Sequence, residues 1–103
     1  MPDALRDLPG LYMNERWGMV FRIEIEWRDG ALRVVAPDQT EPPPTLSPTG
    51  DRDVFMIAGG RDAGETAVFL RTGDGRVHAV RLAYSTYARL EPVDDTAGVL
   101  AGS

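Results

Sequence analysis

The chain has 103 residues, which is the size of one domain and is long enough to bury a core without crosslinks. It contains no cysteine, which excludes disulfides, thiolate catalysis and cysteine-ligated zinc within it. All 11 basic residues are arginine, and the lack of lysine excludes Schiff-base chemistry and a P-loop. The net charge of −5 disfavours nucleic acid as a partner, because phosphate binding needs clustered cations.

The N-terminal stretch MPDALRDLPG has neither a basic start nor an apolar run, so it does not look like a signal peptide. No apolar run approaches the roughly 20 residues of a membrane-spanning helix. The sequence therefore predicts no membrane span, and it leaves open both the compartment and whether the chain is a segment of a longer protein. Asp3 to Leu8 is predicted to form one short helical turn capped by Asp3, and Leu11 to Asn14 to form a short first strand.

The most regular stretch runs from Gly18 to Val35. Its apolar residues alternate with charged ones, which is the pattern of a strand with one dry face and one wet face. This alternation ends at Arg28, and the next two residues, Asp29-Gly30, are a strong signal for a two-residue hairpin turn. We therefore expect a long hairpin whose first strand presents one apolar row to the core, formed by Phe21, Ile23, Ile25 and Trp27.

The second half of the chain continues with short strands separated by turn residues. Ala36 to Pro48 is rich in proline and is predicted to cross in an extended form, with a short strand at Thr45 to Ser47 at most. Asp53 to Ala58 is apolar on both faces, which favours a strand covered on both sides or lying at an interface. The remaining predicted strands are Glu65 to Arg71, Arg76 to Ala83 and Tyr84 to Leu90.

About eight short strands with frequent turns and no convincing helix predict an all-β fold. An antiparallel up-and-down β-barrel fits best, because tight turns join consecutive strands and closure of the last strand on the first removes the exposed edges. We expect one domain with an ordered core from about residue 8 to 93, followed by a flexible tail from 94 to 103. The interior is either filled by side chains or holds one small ligand, and the supply of large apolar residues favours filling.

No motif for catalysis stands out. His78, the single histidine, lies in a predicted strand, and neither Ser47 nor Ser85 lies on the strained turn that a nucleophile elbow requires. Neighbouring carboxylates such as Glu24 and Glu26 share a strand face with arginines, which is typical of solvated ion pairs. The sequence therefore predicts no catalytic residue, no metal site and no cofactor.

The order of landmarks along the chain nevertheless resembles a known family. The landmarks are Gly10-x-Tyr12, Asp29-Gly30-x-Leu32, Leu46-x-Pro48, Phe55, Val68-Phe69, Gly75-Arg76-Val77 and Ala88-Arg89-Leu90. They resemble the C-terminal lipocalin-like β-barrel domain that is appended to penicillin-binding-protein-like and class C β-lactamase-like serine hydrolases, over roughly residues 5 to 93. The family's catalytic residues lie in a separate domain that this chain lacks. The resemblance implies an accessory barrel that packs on a hydrolase and shapes substrate access or oligomerisation.

Two functions follow as expectations. The first is a non-catalytic accessory or interaction domain that binds a serine hydrolase domain, in cis or in trans, or forms a homo-oligomer; its predicted contact surface comprises Pro42, Pro43, Pro44, Val54 and Met56. The second is a free-standing, lipocalin-like carrier of a small apolar ligand; its predicted lining comprises Trp17, Met19, Phe21 and Trp27. An enzyme built around His78 is the least favoured alternative.

Overall fold

The computed structural model describes residues 2–39 and 41–90, which form a closed barrel of eight antiparallel strands in up-and-down order. The predicted flexible tail from residue 94 lies outside the described residues. Each strand pairs with the next along the chain, and β1 also pairs with β8, which confirms the predicted all-β barrel and its closure. The strands are β1 (Gly10–Arg16), β2 (Met19–Arg28), β3 (Ala31–Val35), β4 (Thr45–Pro48), β5 (Val54–Ala58), β6 (Thr66–Arg71), β7 (Val77–Leu82) and β8 (Ser85–Leu90).

Two tight hairpins set the register of the first three strands. Asp29 and Gly30 have φ of 54° and 80°, which is the left-handed turn that Asp-Gly predicts between β2 and β3. Trp17 and Gly18 form a turn of the same kind between β1 and β2, with φ of 54° and 74°. Because this turn is so tight, β1 pairs with β2 from Gly10 to Arg16 and is longer than the predicted strand from Leu11 to Asn14.

The core fills the interior with side chains that project from the strands. Three rings meet there edge to face: Tyr12 and Phe69 have centroids 6.3 Å apart, and Phe55 and Phe69 have centroids 5.7 Å apart. Phe55 and Phe69 lie on the paired strands β5 and β6, and the contact of Tyr12 on β1 with Phe69 joins distant parts of the sheet. The buried core cluster comprises Leu8, Tyr12, Ile23, Ile25, Leu32, Leu46, Phe55, Ile57, Ala67, Phe69, Val77, Val80 and Leu82.

The predicted apolar row on β2 is confirmed only in part. Ile23 and Ile25 are buried and Trp27 packs against the core, but Phe21 keeps 38% of its surface exposed. The prediction that Phe21 is part of the buried row is therefore wrong, although it shares a face of β2 with Ile23. The physical reason is strand length: β3 ends at Val35, which pairs with Glu24, so β2 has no neighbour on that side where it carries Phe21.

Among the described residues, the predicted double cover of β5 is also not found. Phe55 and Ile57 are buried, whereas Met56 on the opposite face remains 40% exposed. The alternation of a single-sided strand therefore applies, because the closed sheet of this barrel has one face toward the core and one face outward. An interface on the outer face of β5 stays a prediction.

The N-terminal segment closes one end of the barrel, which we call the closed end. A 3₁₀ turn spans Asp3–Leu5, and Pro2 takes the N-cap position without a side-chain hydrogen bond, so the predicted Asp3 cap is wrong. Leu8 is fully buried, and the hydroxyl of Tyr12 donates to its carbonyl oxygen at 2.7 Å. Burial raises the pKa of this phenol to about 12, so Tyr12 stays a donor across the physiological range.

Arg71 ties the closed end together by pairing with two carboxylates. Its Nε lies 2.9 Å from Asp53 Oδ2 and its Nη1 lies 2.7 Å from Asp7 Oδ2, while Nη1 also donates to the carbonyl oxygen of Gly75. The Arg71 side chain is only 12% exposed, so this charge is satisfied by protein groups rather than by water. The hydrogen bonds to Asp53 and Asp7 raise the pKa of Arg71, and its hydrogen bond lowers the pKa of Asp7.

Arg89, on β8, completes the closure from the other side of the N-terminal segment. Its guanidinium donates to the carbonyl oxygen of Asp7 at 2.6 Å and to that of Pro9 at 2.8 Å. The same guanidinium lies 5.7 Å from the centroid of the Tyr12 ring, within reach of a cation–π contact. Two inward arginines therefore fasten residues 7 to 9 across this end of the barrel. We call the opposite end, where the β1–β2 turn lies, the open end.

Replacing Asp7 by Asn tests this closure. The folded chain holds the pKa of Asp7 below its ordinary value of 3.8, so its stabilisation is present above that pH and is lost as pH falls below it. Because the Asp7 side chain is 48% exposed, we expect the variant to lose at most about 1 kcal/mol of unfolding free energy at neutral pH. Urea denaturation measures both; a difference that persists unchanged well below pH 3.8 contradicts the assignment. Asp3→Asn, in an exposed pair with Arg6, is the control and is expected to change little.

Candidate functional site at the open end of the barrel

The end opposite the N-terminal closure carries a group of exposed apolar side chains, which we call the apolar rim. It comprises Trp17, Met19, Val20, Phe21 and Tyr84, of which Trp17 is 82% exposed and Tyr84 is 86% exposed. Large apolar side chains grouped at one place on a protein surface are typical of a contact site, whereas single exposed ones need no explanation. The rim is therefore the candidate functional surface.

Neighbouring hairpin turns present the two most exposed aromatics of the rim. Trp17 lies in the turn between β1 and β2, and Tyr84 lies in the turn between β7 and β8. Because β1 and β8 close the barrel, these turns come side by side. The guanidinium of Arg16 donates to the Ser85 hydroxyl, and Asn14 Nδ2 donates to the Thr86 carbonyl oxygen at 2.7 Å.

The backbone of Trp17 adopts a conformation that is unfavourable for a bulky aromatic residue. Its φ of 54° equals that of Asp29 in the other two-residue turn, but aspartate and asparagine tolerate this left-handed conformation far better than a bulky aromatic residue. The Trp17 side chain gains little by burial within the chain, since most of its surface is exposed. A strained position with no packing benefit points to a role outside the folded chain.

Arg16 accompanies Trp17 as a second exposed recognition group. Its guanidinium carbon lies 5.1 Å from the centroid of the Trp17 ring, so the cation covers one face of the indole. The hydrogen bond to Ser85 holds that guanidinium in place. Tryptophan and arginine are the residue types most often found as energetic anchors in protein interfaces.

A cleft of about 440 Å³, which we call the edge groove, adjoins the rim. One wall is the first half of β2, including Val20 and Phe21, and the other is the segment from Ala36 to Gln39 that follows β3. Ile23 and Tyr87 also line it, so the groove reaches the margin of the core. Its charged lining residues are Arg22 and Asp38.

The structure separates one of the four residues predicted to bind a ligand. Trp17, Met19 and Phe21 meet at the open end, whereas Trp27 lies near the other end of β2 and lines a different cleft of about 320 Å³. That cleft also involves Leu5 and Leu46, at the closed end. Because β2 has ten residues, its two ends are about 30 Å apart. No single small ligand can contact Trp17 and Trp27 together.

The predicted contact surface follows the outer side of β4 and β5. Pro42 is exposed and Pro43 is half-buried. Pro44 packs against Gly60, where an added Cβ would approach Pro44 Cγ to 3.0 Å, and its carbonyl oxygen accepts from the Val34 amide. Val54 is half-buried and Met56 is exposed on the outer face of β5. The role of these five residues stays a prediction.

Sequence reasoning missed Val20 and Tyr84 as members of the site. Val20 occupies the wet face in the alternating pattern of β2, and nothing local indicates that its strand lacks a neighbour there. Tyr84 follows Ala83, whose φ of 55° marks a turn that Ala-Tyr does not announce. Among the rim residues, the sequence gives a local turn signal only at Trp17, because a Trp-Gly pair between two extended segments fits a two-residue hairpin turn.

His78 lies outside the barrel because of a bulge in β7. Arg71 pairs with Val77 and Leu70 pairs with Ala79, so His78 has no partner on β6 and is exposed. Within residues 2–39 and 41–90, no group of three or more histidine and carboxylate side chains is placed to hold a metal ion. In the same part of the chain, no helix has the length and apolar character that crossing a membrane requires.

The fold thus defines a class, the closed eight-stranded up-and-down β-barrel, with one end fastened by arginines and the other carrying an apolar rim. Comparison with protein-family models, with curated proteins and with solved structures found no match to this chain. The geometry of the open end is therefore the basis for the function proposed below.

Replacing Trp17 by Asn tests whether the rim costs stability. Asparagine relieves the left-handed strain, and we expect a net gain of about 0.5 kcal/mol after loss of the Arg16 contact, or a melting temperature higher by a few degrees. Asp29→Trp, the reciprocal change in the equivalent turn, is expected to lower the melting temperature by a similar amount. Thermal unfolding followed by circular dichroism measures both. A clear loss of stability in Trp17→Asn contradicts the idea that this indole is held for an external contact.

Proposed function

We propose that this chain is a non-catalytic accessory domain that binds a serine hydrolase domain, in the same polypeptide or a separate one, through the apolar rim. The observation that carries the proposal is Trp17, which is 82% exposed on a strained turn beside Tyr84 and the guanidinium of Arg16. Within the fold the indole gains only the contact with Arg16, whereas a partner gains a large apolar anchor.

The composition of the rim favours a protein partner. Tryptophan, tyrosine, methionine and arginine are enriched in protein interfaces, where a central aromatic anchor fills a pocket of the partner and the surrounding contacts exclude water. Trp17 and Tyr84 project from rigid two-residue turns, so little conformational entropy is lost when they are buried. The partner surface that fits them is an apolar cleft with a carboxylate at its margin to pair with Arg16.

The identity of the partner comes from the family resemblance in the order of sequence landmarks. In that family the barrel is appended to a penicillin-binding-protein-like or class C β-lactamase-like hydrolase. By this reasoning the domain modulates substrate access to the hydrolase or its oligomerisation, and the chemistry belongs to the partner. The N-terminal closure supports a passive role for the barrel, because Leu8 and two inward arginines occupy the end that a through-channel would need.

The proposal is tested with the hydrolase encoded in the same reading frame or beside it, produced as a separate domain. We expect association measurable by isothermal titration calorimetry, and we expect Trp17→Asn to weaken it about 30-fold or more, as for an interface anchor. His78→Ala, an exposed change on the outer wall, is the matched control and is expected to leave the affinity unchanged. Equal affinities of the wild-type chain and Trp17→Asn, or no association at all, contradict the proposal.

A second function, binding of a small apolar ligand, is favoured by the edge groove. Its volume of about 440 Å³ suits a small molecule, and Phe21, Ile23 and Tyr87 give it an apolar floor. The site differs from the predicted lining, because it includes Phe21 but not Trp17, Met19 or Trp27.

Titration with a long-chain fatty acid below its micellar concentration tests the ligand function. Binding in the edge groove is expected to fall about tenfold in Phe21→Ala, since roughly a benzyl group of apolar contact is removed. Trp27→Phe, at the other end of β2, serves as the control and is expected to bind as the wild type does. Chemical-shift perturbation in NMR spectra measures both the affinity and the place of binding. A wild-type chain that binds no fatty acid contradicts this second function.

A further inference from the structure

The two halves of β2 differ in how many neighbours they have. Its ten residues pair with β1 from Met19 to Ile25, but they pair with the five-residue β3 only from Glu24 to Arg28. From Met19 to Ile23 the strand therefore has β1 on one side and, among residues 2–39 and 41–90, no strand on the other. We call this stretch the free edge.

The hydrogen-bond pattern identifies which peptide groups the free edge offers. In a hairpin with a two-residue turn, the residues flanking the turn form a hydrogen-bonded pair, and such pairs then alternate along the strands. Arg28 and Ala31 flank the Asp29-Gly30 turn, so the even-numbered residues of β2 direct their N–H and C=O groups toward β3. Beyond Glu24, these are Arg22 and Val20. No backbone hydrogen bond joins either residue to the segment from 36 to 39 across the groove.

The two faces of the free edge differ in the side chains that they present. On the face toward the barrel opening, Phe21 and Ile23 line the edge groove together with Tyr87. Arg22 lies on the opposite face of the strand from Phe21 and Ile23 and also borders the edge groove, as does Asp38 on the other wall. It is exposed and forms no ion pair with any residue in the described part of the chain. Every second side chain of an added strand would therefore face the apolar surface of Phe21 and Ile23. The side chain between two of these would face the Arg22 guanidinium.

We propose that the free edge of β2 binds an extended segment of a partner protein as an additional strand, with apolar residues facing Phe21 and Ile23 and a carboxylate opposite Arg22. This is recognition by β-augmentation, in which backbone hydrogen bonds give affinity and alternate side chains give specificity. The inference rests on the proposed function, since the free edge begins in the apolar rim, and it names the conformation and chemistry of what the partner contributes.

Charge complementarity separates this occupant from a second copy of the chain. Two free edges that pair antiparallel about Phe21 place Val20 opposite Arg22, and pairing about Arg22 places two guanidinium groups against each other. Neither register supplies a carboxylate, because Glu24 already pairs with Val35. Each copy also carries a net charge of −5, which disfavours self-association at a surface without compensating contacts. A partner segment with an acidic residue between apolar ones supplies the carboxylate opposite Arg22 that a second copy lacks.

A synthetic heptapeptide tests the inference on the isolated chain. Valine occupies the odd positions, threonine the second and sixth, and glutamate the fourth, and NMR titration at physiological salt measures its affinity. We expect the largest shifts at the amides of the free edge and about tenfold weaker binding when lysine replaces the glutamate. A wild-type chain that does not bind the peptide overturns the inference.

Methylation of peptide nitrogens separates strand addition from simple apolar contact. Methylation of the glutamate nitrogen removes an N–H that faces Arg22, and we expect affinity to fall about tenfold or more. Methylation of a valine nitrogen changes an N–H that faces away from β2, and we expect a change of about threefold at most. Equal losses from the two modifications overturn the inference.

Variants of the chain provide the reciprocal test. Val20→Pro removes an N–H that no strand uses, so the barrel ladder is kept while the edge is blocked, and we expect at least about tenfold weaker peptide binding. Val20→Thr keeps the N–H and is the matched control. Unchanged peptide affinity in a folded Val20→Pro variant overturns the inference; if that variant does not fold, the methylated peptides still decide the question.

Two further results would distinguish failure of this inference from failure of the proposed function. A dimer in sedimentation analysis that Val20→Pro abolishes shows that a second copy occupies the free edge, which overturns the inference. The peptide titration uses no hydrolase, and the hydrolase assay depends on Trp17. A negative result in one assay therefore does not affect the interpretation of the other. Peptide binding without hydrolase association keeps the free edge as a strand-binding site and removes the hydrolase as its partner.

Discussion

The edge-to-face contact of Tyr12, Phe69 and Phe55 is the interaction on which the rest of the molecule depends. Phe55 and Phe69 lie on the neighbouring strands β5 and β6, whereas Tyr12 comes from β1, so its contact with Phe69 forms only when the sheet curls far enough to bring distant strands together. Tyr12 then has a second role, because its hydroxyl binds the Leu8 carbonyl and draws the N-terminal segment over one end. The same residue thus fills the interior and fixes which end is closed. The other end is left to carry exposed apolar side chains.

A mismatch in strand length gives the open end its character. Closure of β1 on β8 removes the two edges that an open sheet would have, yet a ten-residue strand beside a five-residue one creates a new, short edge inside the closed barrel. The segment after β3 turns away at Ala36. The backbone N–H of Gln39 donates to the Ala36 carbonyl oxygen, and the side-chain Oε1 of Gln39 accepts from the Ala36 N–H. That local turn keeps the segment from continuing the ladder beside β2. The result is a groove with backbone groups on one wall.

Alternation and turn chemistry made most of the fold predictable, and the reasons are local. Ile23, Ile25 and the Asp29-Gly30 turn each behave as period and propensity require, and all eight strands lie close to their predicted places. Phe21 was placed wrongly because its exposure depends on where β3 stops, which is a property of another strand. The inward arginines were missed for a similar reason: a charge becomes acceptable in the interior only when Asp7, Asp53 and backbone carbonyls surround it. The strain at Trp17 requires a φ value, which no pattern of apolar residues provides.

The placement of the two tryptophans has a practical consequence. Trp17 projects into solvent from the turn before β2, while Trp27 is half-buried near the far end of β2 at the closed end. Their fluorescence should therefore separate by quenching: iodide reaches the indole on the turn, and the indole against the core is shielded from it. Each single-tryptophan variant then reports on one end alone. Trp17 fluorescence thus reports binding at the apolar rim, and Trp27 fluorescence reports whether the barrel is folded.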